Sequence, residues 1–250
     1  MDLGIAGRVA LVMAASKGIG KGIAGALARE GARVAMASRS RERIEAAAEE
    51  IDGETVPLIA DSHDLDRMAA VPDEVAGALG PVEILVINTG GPPVGGALDN
   101  PREEWEAAYR ELVLAPRTLV EAALPAMREA GWGRIVNVAS SSIREPIPHL
   151  TLSNVHRMAA VGFLKTLASE VAADGVTVNT VATGRFATDR LASNWGSWEE
   201  MERGAAEGIP AGRLGQPEEF GDLVAFLCSE RAAFLTGTII PLDGGMLRGA

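Results

Sequence analysis

The sequence predicts an α/β chain, a single domain over residues 1–250 built on a doubly wound parallel sheet of seven strands. Short apolar runs alternate with amphipathic helical patterns almost from end to end, and that alternation implies parallel strands joined by right-handed crossovers. Hydrophobic residues make up 47% of the chain and aromatics only 4%, so Ala, Val, Leu and Ile must fill a core between strands and helices on both faces. No linker, repeat or low-complexity stretch divides the chain, and its length is normal for one large α/β domain.

The apolar runs place strands at Val9–Ala14, Arg33–Ala37, Thr55–Ile59, Ile84–Ile87, Arg134–Val138, Val176–Val181 and Thr238–Pro241. Ile19, Ile23 and Leu27 recur at helical spacing and mark a first helix face. A second helix covers Arg41–Ile51, with Ile44, Ala47, Ala48 and Ile51 on one stripe. Pro101 opens a long helix carrying Trp105, Ala108, Leu112 and Leu119. Further helices cover Ser153–Ala173 and Pro217–Ser229. The segment 184–215 is rich in Gly, Ser and Trp and reads as irregular. It follows a strand's C-terminal end, where open α/β sheets bind ligands.

Composition narrows the function. The net charge of -11 leaves no basic stripe for nucleic acid. Cys228 is the one cysteine, so no internal disulfide forms, and His63, His149 and His156 do not make a zinc pattern. No basic-plus-apolar leader opens the chain, and no apolar run approaches a membrane span. The expectation is an anionic cytoplasmic protein acting on a small molecule, without nucleic acid, membrane or metal.

Between the first strand and the first helix stands Ala14-Ala15-Ser16-Lys17-Gly18-Ile19-Gly20. Glycines without Cβ atoms let the backbone turn tightly and approach a pyrophosphate. The helix N-terminus behind them presents free N–H groups to the anion. That placement predicts a Rossmann-type dinucleotide site, with Ser16, Lys17, Gly18, Ile19 and Gly20 around the phosphates. At the end of the second strand stands Ser38-Arg39. An acid here would hold a ribose 2′-hydroxyl, whereas an arginine holds a 2′-phosphate. Arg39, with Lys17 as a second cation, therefore predicts NADP(H) in preference to NAD(H); otherwise Arg39 is a solvated residue at a helix start. Ala14 puts a methyl group into the turn, which clashes if that position needs a positive φ.

These motifs resemble the classical short-chain dehydrogenase/reductase family, especially its 3-oxoacyl-carrier-protein-reductase-like members, over essentially the whole chain. Met13-Ala14 through Gly20 resembles the family's cofactor turn with its first glycine replaced by alanine. Asp61 stands where the family's acid touches the adenine, and Ile87-Asn88-Thr89-Gly90 resembles its asparagine-asparagine-alanine-glycine motif, with isoleucine in place of the first asparagine. Thr183-Gly184, then Thr188-Asp189, resemble its proline-glycine pair and threonine-aspartate, and Asp243-Gly244-Gly245 its C-terminal signature. The resemblance implies cofactor contacts from Asp61, Asn88, Gly90, Arg157, Gly184 and Thr188, a substrate lid over 184–215, and a homotetramer.

The family's catalytic set is asparagine, serine, tyrosine and lysine. Asn137-Val138-Ala139-Ser140 puts Ser140 at the serine position. Ser153 then stands where tyrosine is expected and Arg157 where lysine is expected, a register held by the following Gly162-Phe163-Leu164-Lys165-Thr166-Leu167-Ala168. Leu112 takes the asparagine position. A phenol with pKa ~10 is brought into working range by a neighbouring cation. An aliphatic hydroxyl is not, and Ser153 is shorter than tyrosine by roughly 4 Å. Arg157 keeps the charge and can hold ribose hydroxyls. His156, one helical turn beyond Ser153, and His149, in the preceding loop, are the candidate replacement proton donors. Tyr109, the one tyrosine, reads as a packing residue.

Two further groupings follow from the same register. Arg144, Arg157 and Arg185 gather at the pocket mouth to bind an anionic group, or else two of them are solvated loop residues. Leu191, Trp195, Trp198 and Met201 form an apolar lid over a substrate, or else anchor the segment to the body. Two functions remain open: an oxidoreductase with altered proton transfer through Ser140, Ser153, Arg157 and His156, and a dinucleotide-binding sensor or partner subunit without hydride chemistry.

Overall fold

The computed structural model describes residues 1–192 and 197–249. Seven parallel strands form one sheet in the order β3-β2-β1-β4-β5-β6-β7. They are β1 (Val9–Met13), β2 (Arg33–Ser38), β3 (Thr55–Ile59), β4 (Ile84–Asn88), β5 (Gly133–Val138), β6 (Val176–Thr183) and β7 (Ile239–Leu242). The order reverses between β1 and β4, so their crossovers leave to opposite sides and a crevice opens above their C-terminal ends.

Every expected strand is present; Thr55–Ile59 keeps its bounds and the other six have a shifted end. β1 stops at Met13 because Ala14 turns into the left-handed region, at φ 49°. β2, β4 and β6 run on to Ser38, Asn88 and Thr183, which carries those side chains to the rim of the crevice.

Helices cover both faces. On one face α1 (Gly18–Arg29), α2 (Arg41–Glu49) and α9 (Pro217–Leu227) bury Ile23, Leu27, Ile44, Phe220 and Val224 against Val12, Val34 and Val86. On the other, α3 (Leu65–Ala78), α5 (Ala115–Ala130) and α6 (Thr151–Val171) bury Met68, Val75, Leu119, Met127 and Leu164 against Leu11, Leu85 and Ile135. Each fully buried aliphatic side chain contributes about 1.5–3 kcal/mol, so the two faces hold the sheet with little help from aromatics.

Three helical features depart from the sequence reading. α3 is absent from the helices read in the sequence, and it runs through Pro72 although proline normally ends a helix. It forms because Asp64 accepts a hydrogen bond from Arg67 N at 2.9 Å, and Met68, Val71 and Val75 share one buried face. The long helix beyond Pro101 divides into α4 (Arg102–Tyr109), a π-turn (Arg110–Leu114) and α5. The segment 184–215 is not wholly irregular: it holds a short α7 (Asp189–Ala192) and α8 (Trp198–Ala206), whose Ser197 caps Glu200 N. Trp195 lies outside the described residues.

The far end of the sheet, at the start of β5, is structural. The buried Arg134 guanidinium lies 4.3 Å from the Trp132 ring centroid and donates to Gly133 O and Gly175 O, at 2.8 and 3.2 Å. Burial pushes its pKa down.

A left-handed alanine costs roughly 1–2 kcal/mol, partly offset when glycine replaces it by the freedom glycine gains in the unfolded chain. Ala14→Gly is therefore expected to raise the unfolding free energy by up to about 1 kcal/mol, read from urea denaturation midpoints.

Candidate active site

The crevice begins at the β1–α1 turn. Gly18 adopts φ 54°, and its α face lies against Thr188. Gly20 leaves no room for a side chain: a Cβ there would overlap Ala14 O and stand 2.9 Å from Asn88 Nδ2. The turn thus presses the first turn of α1 onto the ends of β1 and β4. No acidic residue lies in that first turn, so its free N–H groups face the crevice without a competing carboxylate. Ser16 sits in the turn and Ile19 lines the crevice. Lys17, directly before α1, reaches across to Asp189 on α7, Nζ to Oδ2 3.0 Å.

A cavity of about 540 Å³ runs from this turn to Ser140 and Ser153. Lys17, Gly18, Ile19, Gly20, Asn88, Gly90, Ser140, Ser153, Arg157, Gly184 and Thr188 all line it, so most of the expected site residues converge. Its apolar wall comes from Pro92, Val94, Ile147, Leu150, Leu191 and Met246.

Arg157 organises the inner end. From α6 its Nε donates to Ser153 Oγ at 3.2 Å, Nη1 to Val138 O at 3.2 Å, and Nη2 to Gly90 O at 2.7 Å. One guanidinium thus ties α6 to the ends of β5 and β4, a fork that a lysine ammonium would not make. Burial pushes its pKa down to about 10, while the Glu111 carboxylate opposes the shift and Arg190 adds to it. It remains a cation at neutral pH. Ser140, after β5, accepts from Ser142 N at 3.1 Å, which aims the end of β5 into the cavity.

Other expected residues lie elsewhere. His156 does not reach the cavity. Its ring is buried between α6 and α4, Nδ1 is 2.8 Å from Leu152 O, and Trp105 packs on it edge-on at 5.3 Å. His149 is exposed, and its carbonyl accepts from Gly95 N. Neither histidine is placed to serve as the proton donor expected from the sequence. Asp61 is outside the main cavity: it accepts from His63 N at 3.0 Å and lines a neighbouring groove of about 380 Å³ with Arg41 and Arg67. Arg39 is exposed at the end of β2, its side chain without a partner among the described residues.

The arginine cluster also resolves differently. Arg144 is exposed and away from the cavity. Arg185 spends its guanidinium on the C-terminal end of α8, donating to Ala205 O at 2.8 Å and Glu207 O at 3.1 Å. Lys17, Arg185 and Arg190 join Arg157 in the cavity lining; Arg190, on α7 and against Gly91, directly follows Thr188-Asp189 but stands at no position to which the resemblance assigns a role. In the segment 184–215, Leu191 lines the cavity, Met201 is buried with Ala205, Ile209 and Leu214, and Trp198 faces solvent, donating to Glu202. Leu112 is buried in the π-turn, and Tyr109 is half exposed beside His156.

These features fit a nicotinamide dinucleotide. The side-chain-free cradle at Gly20 admits a pyrophosphate to the α1 N-terminus. The buried Thr183 hydroxyl beside the cavity has no hydrogen-bond partner in the protein. Among the described residues no group of histidine, cysteine, aspartate and glutamate could hold a metal ion, and no helix is long and apolar enough to cross a membrane.

The comparisons agree in kind. Residues 13–247 match a family model described as enoyl-(acyl carrier protein) reductase. The chain is 34% identical over 248 residues to dehydrogenase/reductase SDR family member 4 from Homo sapiens, covering 96% of this chain and 88% of that protein. It is 32% identical over 240 residues to 3-oxoacyl-[acyl-carrier-protein] reductase from Haemophilus influenzae, covering 96% and 98%. The L-sorbose reductase from Gluconobacter frateurii, solved with NADPH and L-sorbose, superposes with a TM-score of 0.94 at 32% identity over 100% of both chains.

Because its ring faces α4, His156→Gln is expected to lower the thermal midpoint while leaving the NADPH dissociation constant within about twofold, measured by fluorescence titration.

Proposed function

We propose, from a chain that belongs to the short-chain dehydrogenase/reductase family of NAD(P)-dependent oxidoreductases, that it transfers hydride between NADP(H) and a small carbonyl compound or alcohol, with the proton drawn from water. The carrying observation is the convergence of the Gly18–Gly20 turn with Ser140, Ser153 and Arg157 on one cavity. When bound, the nicotinamide supplies or accepts the hydride. The protein's task is then to hold its ligands and to manage one charge.

In this reading the amides of Gly18, Ile19 and Gly20, with Ser16 and Lys17, hold the pyrophosphate, and Asn88, Gly90, Gly184 and Thr188 shape the ribose and nicotinamide ends. Arg39 takes the 2′-phosphate, and Asp61 meets the adenine from the adjoining groove. Arg157 faces a ribose hydroxyl or the substrate oxygen and offsets the negative charge that develops there. Ser140 and Ser153 hydrogen-bond a water that delivers the proton, and the hydroxide it leaves takes a proton from bulk solvent. A water is required because Ser153 is a hydroxyl held by a cation, and the inner end of the cavity carries no tyrosine, histidine or cysteine among the described residues. The segment 184–215 serves as the substrate lid, with Leu191 against the substrate. A cytoplasmic tetramer is the assembly proposed, supported by the apolar side chains that Tyr109, Val155 and Met158 expose on α4 and α6.

The same lack of a side-chain acid favours a second reading, a dinucleotide-binding sensor or partner subunit without turnover. Titration with NADPH and NADH, then a panel of ketoses, 3-oxoacyl thioesters and conjugated enoyl compounds, separates the two. The first reading expects NADPH to bind about tenfold more tightly than NADH, or ~1.4 kcal/mol, and to be oxidised with at least one panel member. Tight binding without any turnover selects the second. Arg39→Ala is expected to abolish the preference between the cofactors; tighter NADH binding by the unsubstituted protein overturns the cofactor choice.

A further inference from the structure

Glu111 has no role in the reading above, yet its position is costly. It lies in the π-turn, a helical irregularity that often marks functional sites. Its side chain is only 13% exposed, and a carboxylate withdrawn from water is costly unless it is paired. Its direct partners are weak: Ser62 Oγ donates to Oε1 at 3.5 Å, and His63 Nε2 is 3.9 Å from Oε2.

The closest structural constraint on Glu111 is Gly90. A Cβ at Gly90 would stand 2.6 Å from Glu111 Oε1, so the carboxylate rests against that glycine's α-carbon. The carbonyl of the same residue accepts from Arg157 Nη2 at 2.7 Å. A largely enclosed carboxylate and the site's inner cation therefore clasp one residue of the β4 loop between them. The Arg157 fork otherwise rests on neutral acceptors alone, Val138 O, Gly90 O and Ser153 Oγ. Glu111 is also the largest influence that favours the charged form of Arg157.

We propose that Glu111 is a positioning residue for Arg157: with Gly90 clasped between the two, its carboxylate holds the guanidinium on the β4 loop and towards Ser153 before any ligand arrives. The role rests on the reading that Arg157 faces NADP(H).

A double-mutant cycle over Glu111→Gln and Arg157→Met tests it, read first as NADPH dissociation constants by fluorescence and second as unfolding free energies in urea. Glu111→Gln is expected to weaken NADPH about fivefold in the native background and by less than about twofold once Arg157 is replaced; Glu111→Asp recovers most of the loss. Equal losses in both backgrounds overturn the proposal, as does unchanged or tighter binding by Glu111→Gln. Should Arg157→Met not fold, Arg157→Gln, which also removes the charge, replaces it in the cycle with the same coupling expected. If the native protein binds no NADPH, the cofactor reading itself has failed. The unfolding energies then decide the pair: non-additive losses uphold the coupling, and additive ones end it.

Discussion

The closeness of the β1–α1 turn to the ends of β1 and β4 is the constraint on which the site depends. A parallel sheet leaves a crevice where its strand order reverses, and here that crevice is closed from below by Gly20 pressed against Ala14 O and Asn88. The contact sets the height of the α1 N-terminus above the sheet. The segment that follows β6 is registered on the same turn, through Thr188 against Gly18 and Asp189 on Lys17. A side chain at position 20 would lift the helix and move both walls of the cavity together. The chain tolerates a left-handed alanine at position 14 to preserve that approach.

Charge gives the crevice its second property. The chain carries a net charge of -11, yet Lys17, Arg157, Arg185 and Arg190 line the cavity against the single carboxylate of Asp189 among its described lining residues. A cationic crevice in an anionic body draws in phosphate-bearing ligands. Not all of those cations are available to a ligand: Arg185 is committed to the end of α8, and Lys17 to an exposed ion pair worth at most about 1 kcal/mol. Arg157 differs in kind, because backbone carbonyls from two strand ends fix its direction.

Much of the fold was legible because its pattern is local. Alternating apolar runs named all seven strands, and glycine spacing marked the phosphate turn. Ser153 and Arg157 were singled out by the family resemblance, which sets them at its tyrosine and lysine positions; residues four apart share one helix face, and Arg157 does donate to Ser153. His156 stands one residue before Arg157, and its direction could not be read the same way. α4 packs beside α6 and offers Trp105 and Tyr109, so the imidazole turns into that contact. Helix α3 forms in spite of Pro72 because the Asp64 cap and a buried face of Met68, Val71 and Val75 outweigh the local effect of proline.

By itself the sequence determined the layering, the strand succession, the glycine turn and the identity of the residues available for chemistry, all of which follow from short-range periodicity and backbone freedom. Tertiary structure alone decided which of those residues meet. Arg190 entered the cavity and Arg144 stayed out of it, Arg185 turned to α8, and Glu111 came to rest behind Gly90. These outcomes depend on how crossovers place distant strand ends and loops side by side, and chain spacing carries no record of such through-space distances.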